Sequence, residues 1–413
     1  MKVLVCNKFY RPYGGPETQV LETSRLLEAD GHEVVPFSMS HPDNWPSPWS
    51  GYFVPRIDYH GNPGPIAGIR EAANIIYSRE ARRRITRLLD AARPDIAHMH
   101  NIYHQLSPSI FGPVKKRGVP IVMSLHDYKL ACPNMLFYVD GDVCERCSGG
   151  RFRNAVIHKC VFGSSPRSAV CAVEMYIHRF LRVYQRSVDV FISPSRFLID
   201  ILTRCGAAGP RMVHVPALAN VDAYTPTYEN DGYVFCLGKL TPEKGIATLI
   251  RAVALISDTR LVVAGTGAQR EELERLAQEL APGRVEFVGF LSGETLRRAM
   301  ERCAVFVIPS VWYENCPATV LEAYSAGKPV IGSRIGGIPE LVDEGSDGLL
   351  FEPGNHEELA VKISSLLADG ASIVEMGRAG RGKMESKYSR REHYKRLIEI
   401  YRELVPGWPD AIS

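Results

Sequence analysis

The stretch AVFVIPSVWYENCPATVLEAYSAGKPVIGSR, residues 304–334, decides the fold. Its opening run AVFVIPS has the length and the β-branched content of a buried strand ending near Ser310. Pro317 suits a first helical position, where its fixed φ and missing N–H cost nothing, and Gly327 stands where a C-terminal cap is expected. These two residues predict a helix over 317–326. A second apolar run, KPVIGSR (328–334), follows at once, so the segment is a strand–helix–strand unit of the kind that builds parallel sheets. The free N–H groups at such a helix start, with those of the Asn315–Cys316 loop, form an anion site at the carboxyl edge of the sheet. Glu314 precedes that terminus and Glu322 lies about one and a half turns inside it, so both carboxylates can face one cleft. A carboxylate accepts hydrogen bonds from two adjacent hydroxyls, and a pair so spaced fits the two ends of a nucleotide sugar.

The same alternation runs outward in both directions. Upstream, KVLVC (2–6) reads as a buried strand, ETQVLETSRLLEADG (17–31) as a helix ending at Gly31, and HEVVPFS, DIAHMH (95–100), PIVMSLHD (120–127) and VDVFISPS (188–195) as further strands. Residues 206–232, rich in Pro, Gly and Asn without helical period, read as an interdomain connection. The rhythm restarts with YVFCLGK (233–239), RLVVAGTG (260–267), VEFVGFL (285–291) and GLLFEPG (348–354). The predicted class is α/β, with two doubly wound parallel-sheet domains facing across a cleft. The expected bounds are 1–210 for the first domain and 211–388 for the second. A helical segment, 389–413, would pack back toward the first.

Composition removes several function classes. Lysine plus arginine number 49 against 46 acidic residues, far from the basic excess of a nucleic-acid binder. The start MKVLVCNKF enters a short apolar run directly, and no run approaches the roughly 18 apolar residues of a membrane span. A cytoplasmic chain without a secretory signal is expected. A nicotinamide-dependent oxidoreductase is disfavoured because CNKFYRPYGGPE, after the first strand, lacks G-x-G-x-x-G, and GTGAQR carries Arg270 at the third glycine position. A sugar-nucleotide-binding protein without catalysis remains the other alternative.

The glutamate pair in ENCPATVLE resembles the E-x7-E motif of family 4 retaining glycosyltransferases of GT-B fold. The likeness extends to GKLTPEKG (238–245), AGTGAQREEL (264–273), GFLSGETL (289–296) and GSRIGGIPELV (332–342), and near the N-terminus to RPYGGPETQV (11–20) and SLHDYKLACP (124–133). It implies a nucleoside-diphosphate sugar as donor and no cofactor for catalysis. Glu322 would then hold the ribose, while Glu314 would lie by the donor sugar and the segment Asn315, Cys316, Pro317, Ala318 and Thr319 would grip sugar hydroxyls and diphosphate through its backbone N–H groups, Pro317 having none to give. Gly238, Lys239 and Lys244 would form the diphosphate-binding segment. Lys239 stands where the family usually has arginine, which keeps the charge and loses the bidentate fork. His126 matches the family's active-site histidine, and Gly14 and Gly15 would let the backbone approach the ligand. The implied mechanism is same-face transfer, with the leaving diphosphate helping to deprotonate the acceptor hydroxyl. The acceptor is a glycan, a lipid-linked sugar or a small molecule.

Ten cysteines are present, and four fall within 29 residues: Cys132, Cys144, Cys147 and Cys160. The Cys144–Cys147 spacing is that of a zinc knuckle, and a cytosolic compartment disfavours disulfides, so a structural zinc is one reading. A Cys3His site using His158, an iron–sulfur cluster, a redox pair and free thiols are the others. The segment 128–165 is expected to form an insertion on the acceptor side of the cleft. Within it, Asp140-Gly141-Asp142 resembles a metal-binding D-x-D and is read as a turn. The basic stretch 78–94 is read as a solvated helix face, with docking on anionic lipid at the inner face of a membrane as the alternative.

Overall fold

Runs of Val, Ile and Leu too short for helices, each followed by an amphipathic stretch, fold as strands covered on both sides by helices. The computed structural model describes residues 1–57 and 65–409. In chain order the strands are β1 (Lys2–Cys6), β2 (Glu33–Phe37), β3 (Ile96–Met99), β4 (Ile121–Ser124), the pair β5 (Tyr138–Val139) and β6 (Asp142–Val143), then β7 (Val190–Ser193) and β8 (Met212–His214). Six of these form a parallel sheet in the order β2-β1-β3-β4-β7-β8. The second sheet takes β9 (Tyr233–Leu237), β10 (Arg260–Ala264), β11 (Val285–Gly289), β12 (Val305–Ile308), β13 (Val330–Ser333) and β14 (Gly348–Phe351) in the order β11-β10-β9-β12-β13-β14, again all parallel.

Period-two alternation divides each strand between two cores. Phe235, Val262, Phe306 and Val330 join the cluster on one face of the second sheet, while Val234, Val263, Val307 and Ile331 join that on the other. Sequence order reverses at one place in each sheet, between β1 and β3 and between β9 and β12. At the second of these, β9 and β12 pair only at Val234–Val305 and Phe235–Phe306. Beyond those residues the strands are unpaired, which opens a crevice at their carboxyl ends, where doubly wound sheets take ligands.

Three details depart from the sequence reading or refine it. Met212–His214 lies in the stretch read as a connection, yet β8 pairs with β7 as the edge of the first sheet, so that sheet runs past residue 210. Three residues flanked by Gly209-Pro210 and Pro216 carry too little pattern to stand out. Asp140 and Gly141 have φ of 55° and 89° and close the β5–β6 hairpin, a turn with two left-handed central residues. The helix after Pro317 spans Ala318–Ser325, with Pro317 extended at its cap and Gly327 at φ 75° past its end.

The helix Arg390–Leu404 returns to the first domain. Its Leu397, Ile398, Ile400 and Tyr401 are buried with Val3, Val5, Val122 and Val190 of the first sheet. Arg390 pairs with Glu22 at 2.9 Å, and the Tyr394 hydroxyl donates to Asp30 at 2.7 Å. Residues 410–413 of the expected 389–413 segment lie outside the described residues. Among the described residues no helix is long and apolar enough to cross a membrane.

The segment after β4 is tied down by a buried ion pair. Lys129 Nζ lies 2.6 Å from Glu174 Oε2 on the helix Ser165–Phe180, both side chains almost fully buried, with His104 Nε2 at 3.0 Å from the same ammonium. Burial pushes the Glu174 carboxyl up, but Lys129, His104 and His178 outweigh it and hold it at about 2. Lys129→Met leaves that carboxylate buried without its cation and is expected to cost about 3–5 kcal/mol in urea unfolding. The double variant with Glu174→Leu should recover most of the loss, since it removes the stranded charge.

Candidate functional site

The carboxyl ends of both sheets meet around a cavity of about 500 Å³, within the range of small-molecule sites. Ser124, Ile192 and the histidines after β3 and β4 line it from the first domain, and Leu237, Gly238, Ile308 and Ser310 from the second. It sits at the crevice where β9 and β12 part.

Glu314 is its most constrained group. The loop after β12 turns it inward, leaving it 6% exposed, and Oε1 accepts from Lys244 Nζ at 2.7 Å, Ser310 Oγ at 2.7 Å and Trp312 Nε1 at 2.9 Å. Burial raises the carboxyl pKa, but the Lys244 ammonium and the three donors outweigh it, and the group stays below the ordinary glutamate value. Lys244 also lies 4.8 Å from the Trp312 ring centre. With Lys244 drawn to Glu314, Lys239, exposed at the cavity wall, supplies further positive charge.

Glycines make this packing possible. Gly245, at φ 65°, follows Lys244, and a Cβ there would fall 1.9 Å from the Pro309 carbonyl oxygen. Gly336 and Gly337 lie against Glu314 and Asn315, where a Cβ on Gly337 would meet the Asn315 oxygen at 1.9 Å. The Gly337 N–H donates to Glu314 O at 2.7 Å and fixes the loop. Gly245→Ala combines a left-handed φ with a backbone clash and is expected to lower stability by about 2–4 kcal/mol, read as a lower urea midpoint at unchanged slope.

Asn315, Cys316, Pro317, Ala318 and Thr319 all line the cavity, and the helix start Ala318–Ser325 points its open amides into it. Burial pushes the Cys316 thiol up to about 12, so it is a neutral wall group. Glu322 stands apart. It is partly buried in the helix, does not line the cavity, and is pushed up to about 7 by burial alone. Gly15 lines the cavity and a Cβ on it would come 3.9 Å from Ala318, whereas Gly14 caps the helix Gly15–Ala29 outside the lining.

The first domain contributes a row of imidazoles. His126 Nε2 lies 3.1 Å from His100 Nδ1, and the His100 ring stacks on His98 with centroids 4.1 Å apart. His98 in turn meets Tyr401 of the returning helix at 2.6 Å and Ser124 at 2.8 Å. Burial first, and Lys8 second, lowers His126 to about 4, so the ring is neutral near pH 7 and can donate from one nitrogen while accepting at the other. His98 and His100 went unassigned in the sequence. Their i, i+2 spacing at the end of a strand, HMH, puts both on one sheet face and was the available signal.

The domains are closed on each other. Ser195 Oγ donates to Asn315 Oδ1 at 2.6 Å, the Tyr128 hydroxyl donates to the Tyr313 carbonyl at 3.0 Å, and Glu340 accepts the N–H of Arg196 at 2.8 Å and that of Phe197. The four clustered cysteines lie outside the cavity, and no three of their sulfurs come within 4.8 Å of one another.

Comparison with known proteins agrees with this architecture. Residues 13–222, just over half of the chain, match the model of Glycosyltransferase Family 4, and residues 221–383 match that of Glycosyl transferases group 1. The sulfoquinovosyl transferase SQD2 of Arabidopsis thaliana is 33% identical over 248 residues, covering 54% of this chain and 48% of that protein. The chain thus spans about half the length of the curated relatives it matches. The sucrose-phosphate synthase of Thermosynechococcus elongatus superposes with a TM-score of 0.71 at 20% identity over 98% of both chains. Anabaena Alr3699/HepE, solved with UDP and glucose, gives 0.67 at 17% identity over 97% of this chain and 99% of that one. Two all-parallel sheets joined at such a cleft are the GT-B architecture, and the chain belongs to Glycosyltransferase Family 4.

Proposed function

We propose that the protein is a retaining glycosyltransferase that moves a sugar from a nucleoside-diphosphate donor to an acceptor hydroxyl. The observation that carries this is the convergence of Glu314, Lys244 and the Ala318 helix start on one cavity facing His126. The diphosphate takes the helix amides together with Lys239 and Lys244, which stabilise charge as the leaving group departs. Glu314 and the amides of Asn315 to Thr319 meet the sugar, and His126 reaches its hydroxyls from the other domain. Glu322 takes the ribose. That last role requires the nucleoside to lie past the present cavity wall, along the helix.

Retention follows the same-face route. Glu314 Oε1 is held by three donors, an arrangement that suits fixed charge stabilisation better than a nucleophile. No step of this reaction calls on a metal, and a zinc in the cysteine-rich insertion would serve folding.

Exposed apolar side chains occur in that insertion, at Ile157 and Phe162, and at the end of the helix that follows it, at Phe180 and Leu181, with Arg153, Lys159 and Arg179 exposed in the same two segments. Exposed apolar side chains with cations beside them in sequence suit contact with an anionic membrane, and hence a lipid-linked acceptor met from the cytoplasmic side. HepE has also been solved with UDP-glucose, which makes that nucleotide sugar the first donor to assay. Release of nucleoside diphosphate from a panel of nucleotide sugars, with lipid-linked acceptors in anionic vesicles, is expected for one base, with the anomeric configuration kept. An inverted product would remove the same-face assignment, and release from none of the panel would remove the transferase assignment.

A further inference from the structure

We propose that His100 is a positioning residue for His126: it donates its Nδ1–H to His126 Nε2 and so leaves His126 presenting its own Nδ1–H, a donor, to the sugar. The inference deepens the transferase reading and rests on it for the ligand, a hydroxyl oxygen of the donor sugar. The two rings come from paired strands. His100 follows β3 directly and His126 lies two residues past β4, and His100 Nδ1 stands 3.1 Å from His126 Nε2 with ring centroids 5.3 Å apart. The His100 backbone is fixed as well, since its N–H donates to Cys6 O at 2.8 Å and its carbonyl accepts from the Ile102 N–H at 3.0 Å.

Which ring donates follows from the far nitrogen of His100. Both rings are neutral near pH 7: burial, then Lys8, lowers His126 to about 4, and burial, with His98, His126 and His393 adding to it, lowers His100 well below its usual value. A neutral imidazole carries one N–H, and the bond made by one nitrogen settles the state of the other. His100 is 3% exposed, and its Nε2 is buried with no hydrogen-bond partner among the described residues. A proton there would be a buried N–H without an acceptor, which folded proteins avoid more strictly than an unpaired acceptor. The proton therefore sits on Nδ1, where His126 Nε2 accepts it. His126 must then carry its own proton on Nδ1, which none of the described residues engages, and its ring lines the cavity.

The pair is held from behind. His98 stacks on His100 with centroids 4.1 Å apart, and both His98 nitrogens are occupied, Nδ1 with the Tyr401 hydroxyl at 2.6 Å and Nε2 with Ser124 Oγ at 2.8 Å. His98 thus has no nitrogen left for His100 Nε2. The consequence reaches the chemistry: a ring that offers N–H to the sugar does not take the acceptor's proton at that atom, which leaves the proton to the departing diphosphate.

The test reads the tautomer directly, from two-bond nitrogen–proton correlation spectra of the full chain labelled with nitrogen-15 histidine at neutral pH. The His126 signals are those absent from His126→Gln. Wild type is expected to show His126 protonated on Nδ1 and bare on Nε2, and so is His100→Asn, whose amide can donate from near the place of the lost Nδ1. His100→Leu offers no donor, so His126 should pass to the Nε2–H form and kcat should fall roughly tenfold or more, with His100→Asn recovering it to within about threefold. His100→Gln, whose amide falls near the place of Nε2 instead, serves should His100→Leu not fold, and is likewise expected to lose the Nδ1–H form. Nε2–H at His126 in the wild type overturns the proposal, and so does Nδ1–H that persists in both His100→Leu and His100→Gln. The expected tautomers found without turnover of any nucleotide sugar uphold the positioning and remove only the transferase assignment, so the two failures are told apart.

Discussion

Glu314→Ala is expected to lower kcat by roughly 10²–10³, the loss found when one preorganised electrostatic group is removed from a reacting centre. The wild-type carboxylate is buried, oriented by Ser310 and Trp312, and paired with Lys244. Its removal leaves the sugar without that fixed negative group and at the same time releases Lys244, which is about a quarter exposed and stays solvated. The freed ammonium should bind diphosphate at least as well as before. Steady-state kinetics with nucleoside diphosphate as product inhibitor therefore separate two effects: turnover collapses while product affinity holds or rises. A kcat within threefold of wild type would show that Glu314 is a structural member of the loop.

Glu322→Gln carries the second large effect, and it acts on binding and stability in opposite directions. Burial raises the Glu322 carboxyl to about 7 from an ordinary 4.5, with no cation or donor offsetting it. Between those two pH values the folded chain binds this proton more tightly than the unfolded chain does. The group's contribution to stability is thus most favourable below pH 4.5 and falls as pH rises through 7. Above pH 7 the ionised form costs about 3 kcal/mol, less whatever solvent at its partly exposed edge screens. The amide does not ionise, so the variant should melt higher than wild type at pH 8, by a smaller margin at about pH 5, and equally only below about pH 4. Affinity for nucleotide should fall at least tenfold, because an ionised carboxylate accepts the ribose hydroxyls more strongly than an amide. Wild-type affinity should also decline from pH 8 to pH 6 as Glu322 takes up its proton, while the variant stays flat. A carboxylate kept at that cost without a partner in the empty protein is what a ligand-binding role predicts.

The sheets were legible because strands buried on both faces read as continuous apolar runs, and Val305–Ile308 or Val330–Ser333 can be little else. Met212–His214 was not, since three partly exposed residues between prolines carry no period. The second-domain site was legible for the same local reason that it works. Glu314, Pro317 and the helix start lie on one strand–loop–helix, so their spacing in sequence is their spacing in space. His100 and Ser195, Glu340 and the returning Tyr401 come from distant segments, and only the closed arrangement of the domains shows them meeting. The pairing of Lys244 with Glu314 was hidden too, because 70 residues separate the partners.

Calorimetric titration of UDP, GDP, ADP and dTDP into the wild-type chain and Glu322→Gln at pH 8 tests the central claim most directly. A cleft that holds a nucleotide-sugar donor, with its ribose on Glu322, predicts selective binding of one of the four and a loss of at least ~1.4 kcal/mol in the variant. Binding of none, or equal binding by both proteins, would contradict it.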